Sequence, residues 1–220
     1  MIDILYEDNH LIAINKKSGY LVQGDKTKDK PLSEFVKEYL KVKYNKPGKV
    51  FCGVIHRIDR PVSGVVIFAK TSKSLARMNL LLKEKLVKKV YWALTEKNKI
   101  NDYGELKNYL FKKEKINKSF ICKKNLKNSQ IAILNYKILK KLNNYYLMEI
   151  TPITGRHHQI RVQLSNINCS IKGDVKYNSK RPNKDKSISL HAKKISFIHP
   201  IKRINIVIET PVPKNFLILN

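Results

Sequence analysis

Apolar and polar positions along this chain repeat with two distinct periods. In DILYEDNHLIAINKKSGYLVQ, short apolar stretches at 4–6 and 11–15 flank the turn-prone Glu7, Asp8 and Asn9, which predicts two strands joined by a turn. Gly19 marks a further turn before residues 20–23. From Pro31 the period lengthens. Leu32, Phe35, Val36, Tyr39 and Leu40 recur at i, i+3, i+4, i+7 and i+8, and Pro31 suits the first helical position. That spacing predicts a helix with one apolar face, ended by Lys46, Pro47 and Gly48. Residues 63–70 are apolar on both sides through Val65, Val66, Ile67 and Phe68, as a central strand requires. Thr71 or Ser72 can then cap a second helix with Leu75, Met78, Leu82 and Leu86 on one side.

A strand is predicted at 90–95. Strands and hairpins continue from about 98 to 150, with alternation at Ile131, Ile133, Tyr136 and Ile138, and Asn143-Asn144 suits a hairpin turn. In TGRHHQIRVQLSN, Ile160, Leu164 and Ile167 return to helical spacing and leave Arg161 pointing away from their stripe. The tail, ISLHAKKISFIHPIKRINIVIETPVP, reads as two more strands. Strands and helices mix without regular βαβ alternation, so the expected class is α+β, with helices flanking a mixed, mainly antiparallel central sheet. Neither an internal repeat nor a Gly/Ser-rich linker cuts the chain, and residues 1–220 are expected to form a single domain.

Composition narrows the partner. Apolar residues are 42% of the 220, enough for a core, while 45 Lys and Arg against 17 Asp and Glu leave a formal charge of +28. A field of that size attracts polyanions, nucleic acid first among them. The abundance of Lys, Asn and Ile together inflates the lysine count, but the few arginines sit mainly in motif-like stretches. Cys52, Cys122 and Cys169 form no C-x-x-C pair, and their odd number argues for reduced thiols. The acidic, weakly apolar N-terminus is no signal peptide, and no apolar run approaches the roughly 18 residues of a membrane span. A soluble, cytoplasmic protein is the expectation. Metal-ligand spacings, phosphate-binding glycine loops and the G-x-S-x-G elbow are missing from the sequence.

One carboxylate stands out. In VIHRIDRPVSGVVIFAKT, Asp59 lies between Arg57 and Arg60 just ahead of the apolar strand. Cations beside a carboxylate stabilise its ionised form. Such an anion can be a covalent nucleophile toward an electrophilic carbon, or it can cap a turn or pair with Arg60 at the surface. Residue pattern alone leaves both open.

HRIDRPVSGVVIFAK resembles the H-R-L-D-x-x-T-S-G-x-x-x-x-A-K signature of the RluA-type pseudouridine synthases. Further blocks follow in that family's order: ILYEDNHLIAINKKSGYLVQ, KVYWALT, TGRHHQIRVQL, IKGDVKY and LHAKKISFIHP. The Asp59 and Gly-Arg-His-Gln-Ile-Arg blocks are the specific ones. What the resemblance implies is a pseudouridine-synthase-like catalytic domain with its active-site cleft across the sheet. Its reaction converts uridine in RNA to pseudouridine: the C1′–N1 bond breaks, uracil rotates, and C1′ rejoins at C5. By the same resemblance Asp59 is the nucleophile, acting on the sugar by attack or by proton abstraction. Tyr91 packs on the target base and helps remove the C5 proton, and Arg161 is the basic partner of the aspartate. Arg57 fills the place of a flipped-out uridine, which must leave its stack at a cost of a few kcal/mol. RNA contacts are expected from Arg57, Arg60, Arg156, His158 and Gln159, and phosphate contacts from the lysine-rich stretches 83–89, 112–124 and 137–141.

No cofactor and no metal are expected; the implied partner is RNA, ribosomal or transfer, bound by a monomer without an S4-like domain in front. His157, Gln163 and Val62 depart from the family's usual Thr, His and Thr. The rival from another class is a non-catalytic RNA-binding or ribosome-assembly factor using the same basic surface.

Overall fold

The computed structural model describes residues 2–217, which divide between two compact units, residues 2–88 with 192–211 and residues 89–191 with 212–217. In the first unit β1 (Ile4–Glu7) and β2 (Leu11–Lys16) form the expected antiparallel hairpin. Asp8 closes its turn by accepting the His10 and Leu11 N–H groups, each at 2.8 Å. β2 then pairs with β4 (Ser63–Ala69), whose residues are buried from Gly64 onward. The short β3 (Gly53–Val54) also pairs with β4. β10 (Leu190–Ile198) neighbours β4 and pairs with β11 (Asn205–Glu209). Gly64 has φ +117°, and a Cβ there would lie 2.3 Å from the Ala192 carbonyl oxygen. Only glycine permits that backbone and that approach.

α1 (Leu32–Lys43) buries Leu32, Val36 and Leu40 as the spacing predicts, with Phe35 and Tyr39 half-buried. Pro31 sits one place earlier than expected, as the extended N-cap residue. α2 (Ser72–Lys83) starts at Thr71, whose Oγ1 accepts the Ser74 N–H at 3.1 Å. Here the predicted stripe is too long. The helix ends at Lys83, Lys85 turns to φ 59°, and Leu86 lies 55% exposed while Val87 takes the buried place.

The second unit is an antiparallel sheet in the order β5 (Lys88–Glu96), β9 (Tyr145–Pro152), β8 (Gln130–Lys141), β6 (Tyr103–Lys113), β7 (Lys118–Cys122). The chain turns at Asn143-Asn144, where the Leu142 N–H donates to Tyr145 O. One sheet face is core, through Leu110, Ala132, Leu134, Ile138, Met148 and Ile150. Period two cannot put Ile133 and Tyr136 on the same face. Ala132, Leu134, Tyr136 and Ile138 point inward, and Ile131 and Ile133 lie half-buried on the other side.

α3 (Gln159–Asn166) is buried over seven consecutive residues, Gln159 to Ser165. Its Val162 packs with Leu110, Ala132 and Tyr177. A helix enclosed on all sides has no solvent face, and Arg161 therefore points into the protein instead of away from it. The α+β class and the antiparallel ladders expected from the pattern hold in both units. Among the described residues no helix is long and apolar enough to cross a membrane.

Candidate active site

The first unit presents Asp59 on the loop between β3 and β4. Ile55, Ile58 and Val62 are buried, anchoring that loop from below, and leave Arg57 and Arg60 exposed with Asp59 half-buried between them. The Val62 N–H donates to Asp59 O at 3.0 Å, and His56 Nε2 accepts the Ile67 N–H at 3.2 Å, pinning the loop to β4. Arg60 has contacts of its own. Its Nε donates to Gly19 O at 3.0 Å and its guanidinium pairs with Asp29 at 2.7 Å. Both side chains of that pair are about half exposed, so it contributes at most about 1 kcal/mol; its effect is to orient the arginine.

Beneath this loop lies a residue that sequence reasoning passed over. Lys16, the last residue of β2, is 1% exposed. Its Nζ donates to Tyr20 O at 2.8 Å, Arg60 O at 3.1 Å and Lys17 O at 3.2 Å, which uses all three ammonium protons. Burial pushes its pKa down to about 7, against the attraction of Asp59 and with the repulsion of Arg60. A buried amine that feels Asp59 thus ties the turn after β2, at Lys17 and Tyr20, to the aspartate's loop at Arg60.

The second unit holds Tyr91 and Arg161. Tyr91 lies on β5 opposite Ile150, on the core side of the sheet, and is 9% exposed. Arg161 is 5% exposed and forms a two-pronged pair with Asp174, Nε to Oδ2 at 2.7 Å and Nη2 to Oδ1 at 2.8 Å. Its guanidinium also lies 5.0 Å from the centre of the Tyr177 ring. Tyr177 is fixed in turn: its hydroxyl accepts the Ser119 N–H at 2.8 Å and shares a 2.9 Å hydrogen bond with His158 Nδ1. His157 stacks on His158 with ring centres 3.8 Å apart and bonds Ser119 Oγ and Asn117 Oδ1. The departure from Thr at position 157 therefore ties the start of α3 to β7. Lys89, beside Tyr91, has its pKa lowered by burial.

Three expected RNA contacts look different in place. Gln159, 3% exposed, accepts from Thr154 Oγ1 and the Arg156 N–H and donates to Ile133 O. His158, 9% exposed, adopts the left-handed φ of 53° just before α3 and holds Tyr177. The Gln159 amide and His158 Nδ1 are thus engaged within the protein. Arg156 is half-buried, its Nε donating to Ile131 O at 2.9 Å. Asp174 and Tyr177, which position Arg161, belong to the IKGDVKY block. Gln163, where the family usually has His, is fully buried, and its Nε2 donates to Asn108 Oδ1 at 2.8 Å and Leu106 O at 3.0 Å.

Residues 10–166 match the RNA pseudouridylate synthase family. A Rickettsia bellii (strain RML369-C) protein, ribosomal large subunit pseudouridine synthase C, is 37% identical over 215 residues, covering 97% of this chain and 69% of its own. A Vibrio vulnificus (strain CMCP6) protein, tRNA pseudouridine synthase C, is 32% identical over 97% of this chain and 92% of its own. Among solved structures, human RNA pseudouridylate synthase domain containing 4 is alike in fold, with TM-score 0.82 at 22% identity over 98% of this chain and 90% of that one.

Proposed function

This chain belongs to the RNA pseudouridylate synthase family, and from that premise we propose that it isomerises particular uridines of ribosomal or transfer RNA with Asp59 as nucleophile. The observation that carries the assignment is that Asp59, Tyr91 and Arg161 all fall inside the matched span 10–166. The chemistry asks for one anion at the ribose, one aromatic face for the extruded uracil and one fixed cation. Asp59 supplies the first. Its loop is held by buried Ile55, Ile58 and Val62 and by the Lys16 ammonium on Arg60 O, so little freedom remains to be lost on reaction.

Tyr91 supplies the aromatic face, and stacking of a base on such a ring is worth roughly 1–3 kcal/mol. Arg161 supplies the cation. The two-pronged Asp174 pair and the Tyr177 ring fix the guanidinium before substrate arrives, and preorganised charge of this kind stabilises developing charge without reorganising. Arg57, exposed two residues before Asp59, takes the stack position that the flipped nucleotide leaves, where a guanidinium plane can both stack and donate. Arg60 and Arg156 reach RNA backbone, with His158 and Gln159 acting behind them as positioning residues. The protein works as a monomer in the cytoplasm.

Chemical mapping of pseudouridine in ribosomal and transfer RNA from cells with and without this gene tests the proposal. The expected result is one or a few sites that vanish on deletion, return with the wild-type gene and stay absent with Asp59→Asn. Sites that return with Asp59→Asn, in cells holding normal amounts of the variant, would remove Asp59 as nucleophile.

A further inference from the structure

The outward face of the β6–β7–β8 sheet combines aromatic rings with lysines. Directly paired residues of antiparallel strands share a face, and alternate residues along a strand do too. The pairs Tyr109–Cys122, Phe111–Phe120 and Lys113–Lys118 between β6 and β7, with Tyr109–Ile131, Lys107–Ile133 and Tyr103–Lys137 between β6 and β8, therefore all lie on one side. The opposite side carries Leu110, Ala132, Leu134 and Ser119, which are buried, and Leu110 and Ala132 pack with Val162 of α3. Tyr109 and Phe111 are partly exposed and Phe120 is 37% exposed, three adjoining rings at the outer end of the sheet. Lys107, Lys113 and Lys137 are exposed around them, while Lys118, at the sheet edge, reaches between the Phe120 ring at 5.5 Å and the buried Tyr177 ring at 5.1 Å.

We propose that this face is a platform for a single-stranded segment of RNA, separate from the nucleotide undergoing isomerisation. Strand neighbours about 4.8 Å apart and alternate residues about 7 Å apart set the rings at spacings that successive unstacked bases can follow. The lysines bordering them then meet the phosphates. Charge complementarity selects a polyanion over an apolar protein partner, since among the described strand residues paired here Glu105 and Glu149 alone bring negative charge to the face. The rings select single strands over duplex, whose bases are already stacked and whose exterior offers phosphate and sugar. The inference rests on RNA being the substrate, and it adds where a flanking segment is held.

Fluorescence anisotropy with two labelled probes, a ten-residue oligouridine and an RNA duplex of the same length, tests it on the full chain. The variants are Phe111→Thr, Phe120→Thr and Lys113→Gln; threonine keeps strand propensity, and circular dichroism confirms that each variant is folded. For the two ring variants the expected result is oligouridine binding weakened about fivefold to over a hundredfold, with duplex binding changed less than twofold. Lys113→Gln should weaken both probes. Unchanged oligouridine affinity in the folded ring variants would overturn the platform, as would equal weakening of both probes. Pseudouridine formation by the wild-type preparation is measured alongside. A wild type that forms pseudouridine while the ring variants bind as tightly sinks the platform alone, whereas no pseudouridine from any RNA fails the functional proposal itself.

Discussion

Replacing Lys16 by Met should change how the protein's stability depends on pH. In the unfolded chain the amine titrates at the ordinary value of 10.5; in the folded protein burial holds it at about 7. Between those values the unfolded chain binds the extra proton, so wild-type stability rises with pH through this window. Integrated from pH 7 to pH 9, the two values give a rise of about 2 kcal/mol from this one group. Methionine cannot titrate, and it leaves the carbonyls of Lys17, Tyr20 and Arg60 without their shared donor. Tyr6 and Cys52, both pushed up to about 12 chiefly by burial, pull stability the opposite way at high pH. They do so equally in both proteins and cancel in the comparison. Guanidinium unfolding followed by circular dichroism at pH 6, 7, 8 and 9 gives the stability of each. The expected outcome is a gap between wild type and variant that widens by about 2 kcal/mol from pH 7 to pH 9. Parallel profiles would refute the reading of Lys16 as a buried, half-titrated cation under the Asp59 loop.

Two further outcomes follow from the site. Asp174→Ala leaves the Arg161 charge buried without its two-pronged partner, which costs about 3–5 kcal/mol and lowers the melting temperature by on the order of 10 °C. The double change Arg161→Met with Asp174→Leu should recover part of that stability in calorimetry while activity stays lost, which separates folding from catalysis. RNA binding should fall steeply with salt, by about 0.7 log units per log unit of salt for each single-strand phosphate contacted. Filter binding between 50 and 300 mM salt measures the slope, and a flat line would contradict phosphate contact by the basic surface.

Much of the architecture was legible because it follows from local periodicity. The β1–β2 turn at Asp8, the α1 stripe and the doubly buried β4 are each written in a few consecutive residues. What escaped depends on neighbours distant in sequence. Ile131 and Ile133 read as part of one alternation with Tyr136 and Ile138 until the strand's continuity shows that they face opposite ways. Arg161 looked outward because helical spacing gives an apolar stripe but cannot say that a second layer, with Asp174 and Tyr177, covers the other side. Lys16 is followed directly by another lysine in a chain rich in lysines. Nothing local marks it as the buried one, although its place at the end of a strand that is almost wholly inward-facing was the available clue. Asp59 was legible for a different reason: its flanking arginines and the ordered blocks around it form a pattern that composition does not produce.

Release of tritium from RNA labelled at uridine C5 reports loss of the C5 proton, a step that isomerisation requires and binding does not. With an RNA carrying the mapped target, wild type should release one tritium per site under single-turnover conditions. Asp59→Asn should bind the same RNA within about threefold and release none above background. Release at a comparable rate from the folded Asp59→Asn protein would contradict the central claim that this carboxylate carries out the reaction.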